Sequence, residues 1–222
     1  MKKLAVLGDR NPQFLTHREF DAALALLPDN IEATWIGTDT PQAAVRTAAM
    51  DAVWVVSGSP YRNDAVVYEA IRHARQTGQP FLGTCAGFQY AVVEFARNVA
   101  DIEDAAHAET TPGQGSLVID RLSCSLQGEI RGVQAIPGTR LYDLVGAETF
   151  PGYHACSYGL APEYAERLTQ HGLVISARGE NAGAKAIELP GHTFFLATLF
   201  QPQVGSLAGQ PLSPIIQAFL AA

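Results

Sequence analysis

The sequence predicts an α/β fold in which a central, mostly parallel sheet is flanked by helices. Two observations support this prediction. Short apolar runs rich in β-branched residues alternate with helix-like stretches up to residue 99, which is the pattern of right-handed β–α–β crossovers. Several of these runs, such as residues 53–56, contain no polar residue, as is typical of strands that are covered by helices on both faces.

The N-terminal alternation consists of four predicted strands and four predicted helices. The strands are predicted at residues 4–7, 33–36, 52–56 and 80–83, and the helices at residues 18–27, 43–49, 65–76 and 88–99. Each strand precedes a helix, so we expect this half of the chain to form a doubly wound parallel sheet.

The pattern changes after residue 98. Further strands are predicted at residues 116–119, 132–136, 173–176, 184–189 and 193–200, with one clear helix between them at 162–170 and a last helix at 213–220. We interpret these strands as antiparallel additions to the parallel sheet. The sequence has no internal repeat and no low-complexity linker, so we predict a single domain over residues 1–222.

Composition disfavours several classes of function. Fifteen basic and twenty-two acidic residues give a formal net charge of −7, which would repel a nucleic acid or an anionic membrane surface. The apolar run at residues 4–7 is too short for a secretion signal, and no run approaches the roughly 18 residues of a spanning helix. We therefore expect a cytoplasmic protein with neither a nucleic-acid nor a membrane partner.

The three cysteines, Cys85, Cys124 and Cys156, are an odd number without CxxC spacing. This argues against both a disulfide framework and a structural zinc site, so we expect reduced thiols. The sequence leaves the roles of Cys124 and Cys156 open. The acidic pairs Glu103-Asp104 and Glu163 with Glu166 are interpreted as solvated helix faces. We predict neither a metal nor a cofactor.

The strongest chemical signal is the segment Gly83-Thr84-Cys85-Ala86-Gly87, which follows an apolar strand and begins a helix. Glycines two residues before and after the cysteine permit the tight turn of a nucleophile elbow. We expect the helix N-terminus to lower the pKa of the thiol and its free N–H groups to hold an oxyanion. The alternative is a buried cysteine that only packs at a strand end.

Residues 81–99 closely resemble the nucleophile segment of the class I glutamine amidotransferase domain of CTP synthase. The likeness extends to residues 4–8, 56–59 and 173–203, and it implies a flavodoxin-like three-layer sandwich. Residues 59–62, 107–109, 123–126 and 198–202 are similar to a group of stand-alone proteins related to the C-terminal region of CTP synthase. The sequence has no counterpart of the synthetase half, so we do not expect CTP synthesis by this chain alone.

The resemblance also identifies departures from the family pattern. The family has a general-base histidine and an orienting glutamate where this chain has Gln201 and Gln203, and a glutamine side chain cannot exchange a proton at neutral pH. Gln89 and Glu109 match positions that contact glutamine in the amidotransferase domain that this chain resembles. The arginine that would pair with the glutamine carboxylate corresponds to Ser157, next to Tyr158.

Two histidines are candidates to replace the missing base. His107 lies two residues from Glu109, and His154 lies in the segment that normally supplies the arginine, although either histidine could equally be a buried polar residue. We expect the backbone N–H of Ala86 and the loop of Gly58 and Ser59 to form the oxyanion site. Residues 9–11 either line the site or form a simple turn.

Three hypotheses follow. The first is a Cys85-dependent hydrolase of a carbon–nitrogen bond in a small amide- or amine-containing molecule other than free glutamine. The second is a catalytically inactive binding or regulatory module, and the third is a glutaminase that donates ammonia to a separate synthetase partner. The sequence leaves open whether the chain forms a homo-oligomer.

Overall fold

The computed structural model describes residues 1–180 and 183–222. The predicted N-terminal alternation is confirmed, with the following bounds: β1 Lys2–Leu7, α1 Leu15–Leu24, β2 Ile31–Ile36, α2 Ala43–Ala48, β3 Ala52–Val55, α3 Asp64–Thr77, β4 Phe81–Thr84 and α4 Ala86–Asn98. Helix α1 begins three residues before its predicted start. Its N-cap is Phe14, whose side chain makes no capping hydrogen bond, so no polar residue marks that end in the sequence.

The second half contains more elements than the sequence predicts. They are β5 Ala105–His107, β6 Ser116–Arg121, β7 Glu129–Ala135, α5 Arg140–Val145, β8 Thr149–His154, β9 Tyr158–Leu160, α6 Pro162–Gln170, β10 Val174–Gly179, β11 Ala184–Glu188, β12 Phe195–Thr198, a 3₁₀ turn Ser206–Ala208 and α7 Pro214–Ala221. The prediction of a single helix before β10 is wrong, because α5 is present. Thr139 Oγ1 caps its first turn and Gly146 ends it in the left-handed region, but its six residues are too few to show a helical period.

The large sheet has nine strands in the order β2-β1-β3-β4-β12-β11-β10-β7-β8. The first five strands are parallel neighbours, and the remaining neighbours are antiparallel. Interpreting all late strands as antiparallel additions is therefore wrong for β12, which pairs in parallel with β4 and places Thr198 beside Thr84. Strand β6 also leaves this sheet and joins β5 and β9 in a separate three-stranded sheet.

Helices cover both faces of the large sheet, which gives three layers. Phe20 of α1, Leu141 of α5 and Phe219 of α7 pack in one buried cluster, whereas α2, α3, α4 and α6 contribute to a second cluster. The mixed sheet between two helical layers agrees with the predicted flavodoxin-like architecture. Within the described residues, none of the helices has the length and apolar character required to span a bilayer.

Candidate active site

Strand β4 and helix α4 meet in the turn that holds Cys85. Cys85 has φ 53° and ψ −102°, a conformation that L-residues rarely adopt. A Cβ at Gly83 would lie 2.8 Å from the carbonyl carbon and oxygen of Gly87, and a Cβ at Gly87 would collide with the Val55 carbonyl. Glycine at both positions is therefore required by the close approach of the helix to the strands.

The turn fixes Cys85 at the floor of a cavity of about 530 Å³. The Cys85 N–H donates to the carbonyl of Thr198 at 2.8 Å, which links the turn to the parallel neighbour β12. The side chain is 6% exposed, and its Sγ lies 3.7 Å from the carbonyl oxygen of Ala155. The elbow thus presents a largely desolvated thiol to this cavity at the carboxyl edge of the parallel strands.

A second thiol, Cys156, lies against the first. Cys85 and Cys156 are free and line the same cavity, and Cys156 Sγ lies 4.0 Å from the carbonyl oxygen of Leu199. The neighbouring Cys156 thiol and burial raise the pKa of Cys85, although the N–H of Ala86 acts in the opposite direction. The neighbouring Cys85 thiol lowers the pKa of Cys156; burial opposes this shift, and the positive charge of Lys185 adds to it.

The direction of the shift at Cys85 is therefore opposite to the one predicted from the helix dipole. The pKa shifts of the two thiols have opposite directions, which favours the thiolate on Cys156 over the thiolate on Cys85. Lys185, on β11, is 4% exposed, and burial lowers the pKa of its own ammonium group. A buried ammonium near the pair favours a thiolate there.

His107 is buried beside the cavity and has both ring nitrogens occupied. Its Nε2–H donates to Gln89 Oε1 at 3.0 Å, and its Nδ1 accepts the Glu109 N–H at 3.1 Å. Burial lowers its pKa to about 4. In this arrangement His107 orients Gln89 and the Glu109 backbone, and action as the base for Cys85 would require the Glu109 N–H to release the Nδ1 lone pair.

His154 is fully buried on β8. Its Nδ1–H donates to the carbonyl of Gly152 at 2.9 Å, and its Nε2 has no hydrogen-bond partner among the described residues. Burial, followed by the charge of Lys185, lowers its pKa to about 4. His154 is not among the residues that line the cavity of Cys85.

The positions matched to substrate contacts meet on one wall of the cavity. Gln89 Nε2 donates to the carbonyl of Tyr158 at 2.9 Å, and Ser59 Oγ donates to Glu109 Oε2 at 2.6 Å. Ser157 Oγ lies 3.1 Å from Ser125 Oγ rather than beside a charged group. Among the described residues that line the cavity, Glu109 is the only one with an ordinarily charged side chain.

Only part of the predicted oxyanion site reaches this space. Gly58 and Ser59 line the cavity, whereas Ala86 is fully buried and is not among the described residues that line it. His17 fixes the preceding residue, because its Nε2–H donates to the Ser57 carbonyl at 2.8 Å. No motif or spacing in the sequence singles out His17, because its position depends on the packing of α1 against the turn after β3.

Gln201 and Gln203 are buried and bonded to each other. Gln203 Nε2 donates to Gln201 Oε1 at 2.6 Å, while Gln201 Nε2 and Gln203 Oε1 have no partner among the described residues. Neither amide is a proton acceptor at neutral pH. The places where the resemblance implies a base and its orienting group therefore hold a neutral, incompletely paired couple.

Cys124 and residues 9–11 lie apart from this centre. Cys124 is exposed and lines a smaller cavity of about 220 Å³, which it shares with Lys185. Asp9 accepts hydrogen bonds from Thr38 and from the N–H of Arg62, so it ties loops together instead of facing the cavity. Within the described chain, no group of three or more His, Cys, Asp and Glu residues is arranged to hold a metal ion.

Comparison with known proteins agrees with this geometry. The model of the glutamine amidotransferase class-I family matches residues 22–188. CTP synthase of Pyrobaculum aerophilum is 34% identical over 200 residues, a match that covers 86% of this chain and 38% of that protein. CTP synthase of Archaeoglobus fulgidus is 37% identical over 180 residues, which covers 77% of this chain and 34% of that protein. The match thus spans less than two fifths of these relatives.

Solved structures give the same fold. The glutaminase domain of Trypanosoma brucei CTPS with bound acivicin superposes with a TM-score of 0.85 at 20% identity, covering 100% of this chain and 93% of that one. A glutamine amidotransferase from Thermotoga maritima superposes with a TM-score of 0.58 at 11% identity, covering 99% of this chain and 83% of that one. At these identities the likeness concerns the fold.

Proposed function

Because this chain belongs to the class I glutamine amidotransferase family, we propose that it is a cysteine-dependent enzyme that hydrolyses a carbon–nitrogen bond in a small cationic amide or amidine. Free glutamine is not the preferred substrate in this proposal. The observation that carries it is the charge of the cavity, where Glu109 is the only ordinarily charged lining residue of the described chain and Ser157 replaces the expected arginine.

The cavity favours a cation over a zwitterion. Glu109 keeps one carboxylate oxygen for the Ser59 hydroxyl, and its other oxygen can accept from an ammonium or amidinium group. The carboxylate of a free amino acid would find no cation to pair with on the described walls. A hydrogen bond to a charged group is worth about 1.5–3 kcal/mol, so the absence of an arginine should weaken glutamine binding by at least tenfold.

Cys85 is the proposed nucleophile, and Cys156 is the proposed acceptor of its proton. The two thiols line the same cavity, and the positive charge of Lys185 lowers the pKa of Cys156. Transfer of the Cys85 proton to Cys156 would produce the attacking thiolate without either histidine. The N–H of Ala86 and the loop of Gly58 and Ser59 would then hold the developing oxyanion.

Two other candidates have specific support. The buried Gln201–Gln203 couple, which cannot move a proton, favours an inactive binding or regulatory module. The identity to relatives named CTP synthase favours a glutaminase that donates ammonia to a separate synthetase subunit. The same experiment distinguishes all three.

The test compares L-glutamine with L-glutaminamide, which keeps the ammonium and the side-chain amide but replaces the α-carboxylate by a neutral amide. We expect ammonia release from glutaminamide with a kcat/KM at least tenfold above that of glutamine. Cys85→Ser should abolish release, and Glu109→Gln should reduce the preference. A preference for glutamine would favour the ammonia donor, and no turnover of either compound would favour the module.

A further inference from the structure

The environment of Cys156 sets it apart from an ordinary packing cysteine. Cys85 and Cys156 are 6% and 3% exposed, and both reach the same cavity. Cys85 Sγ lies 3.7 Å from the carbonyl oxygen of Ala155, the residue immediately before Cys156. Both thiols are free, so two buried cysteines from distant parts of the chain meet at one cavity.

Lys185 supplies a second, independent observation. Its side chain is 4% exposed, and its carbonyl accepts from the N–H of Leu199, whose own carbonyl oxygen lies 4.0 Å from Cys156 Sγ. Burying an ammonium group is costly, and a negative charge on Cys156 would raise the pKa that burial lowers at Lys185. The site therefore combines two adjacent sulfurs with a buried cation, and thiolates, not thiols, carry out thiol–disulfide exchange.

We propose that Cys85 and Cys156 form a reactive dithiol that exchanges with small-molecule disulfides and closes reversibly to an intramolecular disulfide. Cys85 faces the cavity and is the attacking sulfur, and Cys156 is the resolving sulfur. Cys124 takes no part, because it is exposed and lines a different cavity.

The exchange balances in two steps. The thiolate of Cys85, having passed its proton to Cys156, attacks one sulfur of a disulfide RSSR, and the RS⁻ that leaves takes up the proton from Cys156. The thiolate of Cys156 then attacks Cys85 Sγ and displaces the second RS⁻, which is protonated by solvent. The two cysteines lose two electrons, RSSR becomes two thiols, and an external dithiol reverses the reaction.

This inference stands independently of the proposed hydrolysis. The oxidised pair would lack the nucleophile, so any Cys85-dependent turnover should stop in that form and return on reduction. Disulfide formation is read by mass and does not require a substrate with a carbon–nitrogen bond. Failure of hydrolysis would therefore leave the exchange testable, and the converse also holds.

The experiment incubates the full chain with glutathione disulfide at pH 7.5, quenches with acid, alkylates with N-ethylmaleimide and measures intact and peptide masses. In the wild type we expect an internal bond between the Cys85 and Cys156 peptides and no glutathione retained on either cysteine, while the exposed Cys124 is either alkylated or carries glutathione. Cys156→Ser should accumulate a stable glutathione adduct on Cys85. Cys124→Ser, the matched control, should close as the wild type does.

Lys185→Met tests the cation. It should slow closure several-fold at pH 7 and less at pH 9, where the thiolate forms without assistance. Wild-type protein that keeps the adduct on Cys85, that fails to react, or that bonds either cysteine to Cys124 would overturn the proposal. The wild-type masses decide the question even if a variant fails to fold.

Discussion

Gly83→Ala tests whether the close approach of helix α4 to strand β4 holds the nucleophile turn in place. The new Cβ would lie 2.8 Å from the carbonyl carbon and oxygen of Gly87 and 2.9 Å from Phe81 Cζ. Ordinary contacts begin at 3.4 Å, so strand and helix must separate by about 0.6 Å (3.4 − 2.8). Overpacking of this kind costs about 1–3 kcal/mol.

A smaller effect opposes this cost. Alanine restricts the unfolded chain more than glycine does, which stabilises the fold by about 0.4–1 kcal/mol. We therefore expect a net loss of about 1–2 kcal/mol in the free energy of unfolding and a fall in Tm of about 2–8 °C. Because Cys85 lies in the displaced turn, its alkylation by iodoacetamide at pH 7 should also slow.

The assay is urea unfolding followed by circular dichroism, with alkylation of Cys85 measured by mass spectrometry. Gly132→Ala is the matched control, since the nearest atom to its new Cβ, Glu180 Oε1, is 3.5 Å away and its backbone is not in the left-handed region. The control should be neutral or slightly stabilising. Equal stability and equal alkylation rates in Gly83→Ala and the wild type would refute the reasoning.

Two further predictions concern buried charge. The pKa of His154 is about 4 in the folded protein and about 6.5 in the unfolded chain, so its contribution to stability is complete above pH 6.5 and is lost as the pH falls towards 4. His154→Phe should therefore reduce the slope of the unfolding free energy against pH in that window by about 1.4 kcal/mol per pH unit. An unchanged slope would contradict this reasoning. Arg75→Met should destabilise the protein by about 3–5 kcal/mol at pH 7, because it leaves the Glu94 carboxylate buried without the bidentate partner 2.8 Å away. The double variant Arg75→Met/Glu94→Met should recover much of that loss in urea unfolding, and a single variant as stable as the double would contradict the argument.

The elbow was predictable because its requirements are local. The apolar strand, the two glycines and the helix lie within one continuous segment, and each has a steric reason that can be stated from the sequence. The direction of β12 was not predictable in this way. It is decided by pairing with β4, more than a hundred residues earlier in the chain, and the apolar segment itself is equally compatible with either direction.

The proximity of Cys156 to Cys85 was also not predictable, because it depends on contacts between distant parts of the chain. Cys156 lies 71 positions after Cys85 (156 − 85), and the two cysteines meet because the segment between β8 and β9 passes over the carboxyl end of β4. His107 and His154 were candidates for the base because imidazole can exchange a proton near neutral pH. Whether a histidine does so depends on its burial and hydrogen bonds, and both ring nitrogens of His107 are hydrogen-bonded to neighbouring residues.

Lys185 bears on how this site could work without the histidine that the family pattern has. Lysine side chains are mostly exposed, yet that of Lys185 in β11 is almost fully buried. An ammonium group at that position is stabilised when negative charge lies near it, and a thiolate at Cys156 would provide that charge. The family pattern has a histidine that is oriented by a glutamate. This chain has the neutral side chains of Gln201 and Gln203 at those positions, together with two neighbouring thiols and the buried ammonium group of Lys185. We infer that the Cys156–Lys185 arrangement replaces the proton-accepting role of the histidine, and that it adds a redox sensitivity that an imidazole base lacks.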